Sequence, residues 1–82
     1  MEVEGTFKIR KREDGRFDVN FDPKEQGTAL RRSRGFSSYD GMRRYLVDVG
    51  IKSEKIPAMQ ELQTGRSVSI GDVKVESSRI AA

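Results

Sequence analysis

Cysteine and histidine are both missing from this chain of 82 residues. Without cysteine there is no disulfide to staple the fold and no thiolate to bind metal. Without histidine, the commonest metal ligand and the usual general base near neutral pH are gone. No apolar run approaches the roughly 20 residues of a membrane span. Residues 1–10 carry acidic groups where a secretory signal needs positive charge. These absences predict a cytoplasmic chain with no membrane partner.

Catalytic and cofactor motifs are scarce as well. There is no GxGxxG, no phosphate-binding P-loop and no Asp-x-Asp cluster. Gly35-Phe36-Ser37-Ser38-Tyr39 lacks the second glycine of a nucleophile elbow, and no histidine exists to complete a triad. The expectation is a non-enzyme with no catalytic residue, no metal and no cofactor. The catalytic alternative is a metal-independent nuclease working with Arg, Lys, Tyr and Glu alone.

A chain of this length makes one small domain and buries only about 60% of its unfolded surface. Its stability must come from packing, with a partner chain as a further source. The sequence pI of 9.5 exaggerates a net charge of only +3, because few groups titrate between the carboxylates and the lysines. The distribution says more. Residues 8–16 carry net +3, residues 31–44 carry net +4, and the remainder is net −4. Positive charge gathered in two places is the electrostatic footprint of a polyanion binder.

Residues 3–11 and 16–22 alternate in polarity, as half-buried strands do. Parity chooses the connection between them. A two-residue Asp14-Gly15 turn would set Ile9 opposite Asn20. A three-residue loop, Glu13-Asp14-Gly15, pairs Arg12 with Arg16, Ile9 with Val19 and Phe7 with Phe21, with Gly15 left-handed in a G1 bulge. Outside, it sets Arg10 opposite Asp18 and Lys8 opposite Asn20. Asp22 to Gly27 reads as one helical turn, capped by Asp22 with Pro23 at its first position. Residues 28–36 have no clear period and read as a short edge strand or a long loop.

Ser37 is the expected N-cap of the main helix. Tyr39, Met42, Tyr45, Leu46 and Val49 fall within about 120° of arc. Gly50 and Ile51 supply a Schellman ending. Ile56, Met59 and Leu62 suggest a second helix over residues 57–64. Residues 67–76 read as a second hairpin with a Gly71-Asp72 turn, and residues 77–82 as a frayed tail. The expected fold is a two-layer α+β domain over residues 1–76, ordered hairpin–helix–helix–hairpin. Its four-stranded antiparallel sheet would carry the helices on one face.

The candidate site follows from charge. Arg31, Arg32 and Arg34 precede the Ser37 helix start, where free N–H groups and the helix dipole favour an anion. Lys8, Arg10 and Arg12, spaced two apart, form a row about 13 Å long. Arg43 borders the apolar face of the helix, whereas Arg44 is bracketed by Asp40 and Asp48. Phe36 is the best candidate for stacking on a base. Ser33-Arg34-Gly35-Phe36 resembles the opening of the second conserved motif of RNA-recognition-motif domains. The likeness covers four residues, the βαββαβ order is absent, and no residue role is carried over. The leading expectation is a non-catalytic module contacting nucleic acid or another polyanion. The alternative is a protein–protein module (adaptor, inhibitor or complex subunit), homodimeric in one version.

Overall fold

The computed structural model describes residues 2–24 and 32–81. Four antiparallel strands form one sheet in the order β3-β2-β1-β4. They are β1 (Glu2–Lys11), β2 (Phe17–Pro23), β3 (Arg32–Phe36) and β4 (Ser67–Glu76). Helix α1 (Tyr39–Asp48) follows β3, and a short helix α2 (Ser77–Ala81) follows β4. This is a small α+β fold.

The β1–β2 hairpin has the register that parity demands. Phe7 faces Phe21, Ile9 faces Val19, Lys8 faces Asn20 and Arg10 faces Asp18. The Arg12 amide donates to the Arg16 carbonyl at 2.7 Å, the Gly15 amide donates to Arg12 at 3.1 Å, and Gly15 has φ +84°. Phe7, Ile9, Phe17, Val19 and Phe21 are all buried. Phe7 and Phe21 stack with ring centroids 4.9 Å apart. Gly5 makes room for this pair, since a Cβ there would lie 2.6 Å from the Phe21 ring and 2.5 Å from the Asp22 carbonyl oxygen.

The predicted turn after Asp22 is corrected in the part described: β2 runs on through Asp22 to Pro23, opposite Thr6 and Gly5. The rest of that turn, and Thr28 and Leu30 of the suggested edge strand, lie outside the described residues. Arg32–Phe36, at the end of that segment, forms a strand that pairs with β2 and with no other described strand.

In α1 the cap is Ser38 rather than Ser37, its Oγ accepting the Gly41 amide at 3.1 Å. At the other end Ile51 donates to the Leu46 carbonyl and Gly50 to that of Val47, with Gly50 at φ +108°. This is the expected Schellman pattern. Met42, Leu46, Val49 and Ile51 share one hydrophobic cluster with the buried strand residues.

Three further expectations fail. The second helix is replaced by two 3₁₀ turns, Ser53–Lys55 and Met59–Glu61. Spacing of three residues suits a 3₁₀ turn as well as an α-helix, and Met59 is exposed while Ile56 and Leu62 are buried. The Tyr39 hydroxyl pins this segment by donating to the Pro57 carbonyl at 2.6 Å.

The second hairpin is one continuous strand. Both halves of β4 pair with β1, Ser67 to Ile70 against Arg10 to Phe7 and Val73 to Glu76 against Gly5 to Glu2. The register shifts between Gly5 and Phe7, leaving Gly71 and Asp72 as a bulge, with Asp72 at φ +53°. A bulge and a tight turn both put Ile70 and Val73 on one face. Pairing along all of β1 satisfies more backbone groups than folding β4 on itself.

The third failure is the tail. Residues 77–81 are helical, and Ile80 is 1% exposed within the core cluster.

Two substitutions test these contacts by urea denaturation. Gly5→Ala overpacks the Phe21 ring and is expected to cost about 1–3 kcal/mol. Ile80→Ala is expected to cost about 2–5 kcal/mol, the loss of a buried aliphatic side chain. A frayed tail would leave the midpoint unchanged.

Candidate functional site

Residues directly opposed in antiparallel strands project from the same side of a sheet. Phe17, Val19 and Phe21 face Phe36, Arg34 and Arg32 across the β2–β3 ladder, so both arginines share the core side of the edge strand. Lys8 and Arg10 face Asn20 and Asp18, which in turn face Ser33 and Gly35. Those two cations therefore lie on the opposite, outer side. Among the described residues the two basic clusters do not meet.

On the outer side the cations have counter-charges. Lys8 lies 4.0 Å from Asp22, and Arg12 lies 3.6 Å from Asp14 and 3.9 Å from Asp18. Asp18 thus pairs diagonally with Arg12, and Arg10 has no ion pair within 4.0 Å among the described residues. The row is a charge mosaic, as a solvated sheet face usually is.

The other predicted residues also separate. Arg31 lies outside the described residues. Ser37 is exposed but does not cap the helix. Ser38 takes that place, and Asp40 puts negative charge in the first turn, where an anion would have to bind. Arg43 sits about 160° around α1 from Tyr45, so the two point to different flanks. Phe36 is half-buried, its ring centroid 5.2 Å from that of Tyr45.

What the fold assembles instead is a surface at the C-terminal end of α1. The Arg34 guanidinium lies over the Tyr45 ring, 5.1 Å from its centroid. Arg79 of α2 donates to the Asp48 backbone carbonyl at 2.8 Å, one of the carbonyls that a helix terminus leaves unpaired. Arg34, Tyr45, Val47, Asp48, Val49 and Arg79 line a shallow groove of about 550 Å³. Val47 is 44% exposed. Among the described residues neither Arg34 nor Arg79 has a carboxylate within 4.0 Å. Beside the groove, Arg32, Ser33, Arg34 and Gly35 of β3 are all exposed, and no described strand pairs with their outer edge. The sequence reading missed Arg79 because it took the tail as frayed.

Burial pushes the Tyr45 phenol above its ordinary 10.0, with the charge and hydrogen bonding of Arg34 partly offsetting that rise. Among the described residues there is no group of three or more acidic side chains placed to hold a metal ion, and no helix long and apolar enough to cross a membrane. Comparison with protein-family models, curated proteins and solved structures finds no match.

Arg34→Gln removes the charge that holds the Tyr45 pKa down, so the phenol is expected to titrate still higher. NMR titration of the tyrosine ring carbons reads this directly. Because the folded pKa is raised, the contribution of this phenol to stability is fully present below pH 10.0 and is lost as pH climbs past it, the unfolded phenol ionising first. In Arg34→Gln that fall continues to higher pH.

Proposed function

We propose that this chain is a non-catalytic protein-interaction module that binds through the β3 edge and the groove beside it. The observation that carries this reading is the exposure of Ser33, Arg34 and Gly35 on β3, along which no other described strand pairs, beside the groove that holds Arg34, Tyr45 and Arg79. An exposed edge offers a row of backbone donors and acceptors to an added strand. The adjoining Tyr45 and Arg34 are the residue types that dominate binding energy at protein interfaces.

A second reading keeps a polyanion as the ligand and moves its site. The observation favouring it is that Arg34 and Arg79 flank one groove without carboxylate partners among the described residues. Contacts to phosphates would weaken steeply between about 50 and 200 mM salt. Replacing both arginines by Gln would flatten the slope by about two. The outer-side row contributes less, because Lys8 and Arg12 already face carboxylates.

A photo-crosslinking residue placed at Ser33 separates the two in extracts of cells that express the chain. The expected result is a discrete adduct that survives nuclease and is lost to protease, absent when the crosslinker sits at exposed Lys52. Nuclease-sensitive adducts would favour the polyanion. The absence of any Ser33-dependent adduct would overturn the β3 assignment.

A further inference from the structure

We infer that the outward face of α1 docks an acidic segment of the partner protein, with one apolar side chain seated on Val47 and carboxylates on either side of it. The inference deepens the protein-interaction reading above and rests on it.

The distribution of ion pairs comes first. On and beside the β1–β2 hairpin, Lys8, Arg12 and Lys24 each have a carboxylate within 4.0 Å. Around α1 the position is reversed. Among the described residues Arg34, Arg43, Arg44 and Arg79 have no carboxylate within 4.0 Å. Arg44 stands between Asp40 and Asp48 in sequence, yet neither of them engages it. The positive charge that the fold leaves unneutralised is therefore gathered on this face.

Its geometry is centred on Val47. Asp40, Arg43, Arg44 and Val47 follow the i, i+3, i+4, i+7 spacing of one helix stripe. They line a shallow hollow of about 250 Å³. Val47 also lines the larger groove that holds Arg34, Tyr45 and Arg79. It is the ridge at which two arginine-bearing hollows meet. At 44% exposure it lies outside the core cluster. A β-branched side chain is a poor choice for an exposed helix position, so helix formation does not account for it.

The chemistry points to carboxylates on a protein. A guanidinium fork matches a carboxylate through two parallel hydrogen bonds and is weakly hydrated. Arginine is enriched at protein interfaces, where lysine is depleted. Each hollow also holds an aspartate, Asp40 in the smaller and Asp48 in the larger. A nucleic-acid strand carries a charge at every nucleotide and would meet both. A protein segment can set its carboxylates against the arginines and uncharged residues against the aspartates.

The test uses the full chain and four fluorescent Ser-Gly peptides of equal length. Three have a central Leu flanked on both sides by Glu, Gln or Lys, and the fourth has a central Ser flanked by Glu. Binding is read by anisotropy, and its place by amide chemical shifts of the isotope-labelled chain. The Glu–Leu peptide is expected to bind at least about 10-fold more tightly than the Gln–Leu peptide and about threefold more tightly than the Glu–Ser peptide. Its shifts should centre on Arg43, Arg44 and Val47. Arg43→Gln combined with Arg44→Gln, and Arg34→Gln alone, should each weaken it at least about fivefold. Val47→Ser should erase the difference between Leu and Ser peptides. All these positions are exposed. Lys74→Gln, opposite Glu4 on the outer side of the sheet, should change nothing.

Equal affinity for the Glu–Leu and Gln–Leu peptides, or shifts that avoid α1, would overturn the inference. The protein-interaction reading then stands if a crosslinker at Ser33 still gives a protease-sensitive adduct, and falls as well if it does not. A Val47→Ser variant that keeps the preference for Leu would overturn the seat on Val47. An oligonucleotide that shifts α1 where no peptide does would assign the face to nucleic acid. Dimerisation that shifts α1 without any probe would assign it to a second copy. Either result overturns the inference.

Discussion

The register of the β1–β2 hairpin is the constraint on which the rest of the structure depends. Strand side chains alternate, so a slip of one residue exchanges the buried face for the solvated one. The three-residue loop closed by left-handed Gly15 fixes the parity that sends Phe7, Ile9, Phe17, Val19 and Phe21 to one side. Met42 and Leu46 of α1, Val49 just after it and Ile80 of α2 are buried in the same hydrophobic cluster as those strand residues. Gly5 is part of the same device, since only a residue without a Cβ leaves the Phe21 ring in place.

The same parity explains why the basic residues do not form one site. Clustering along a sequence says nothing about side when the chain is a strand. Lys8 and Arg10 are outward because Phe7 and Ile9 are inward. Arg32 and Arg34 are placed by pairing with Phe21 and Val19, which puts them on the core side at an edge that the core does not cover. The electrostatic pattern is a by-product of hydrophobic register, and net charge per segment carries no information about it.

Where local physics was sufficient, the sequence could be read. The hairpin register, the apolar stripe of α1 and its Schellman ending depend on neighbours a few residues apart. The misreadings came where two conformations satisfy one local pattern. Ile70 and Val73 share a face whether Gly71 and Asp72 make a turn or a bulge, and the choice is made by β1, some sixty residues earlier. Ile56, Met59 and Leu62 suit a 3₁₀ turn or an α-helix, and Pro57 held by the Tyr39 hydroxyl decides. Of the candidate site, Arg34 was legible as a cation. Its seat on Tyr45 and its neighbour Arg79 were not, because both depend on contacts between distant segments.

The two borders of the sheet differ in kind. β3 is short and regular along its described length, whereas β4 is interrupted in its middle by Gly71 and Asp72. A bulge twists a strand and spoils it as a template for another. Stacking into an open-ended array needs two competent borders per molecule, one to receive and one to offer. The irregularity in β4 removes one of the two, so it guards the sheet against open-ended stacking through its borders.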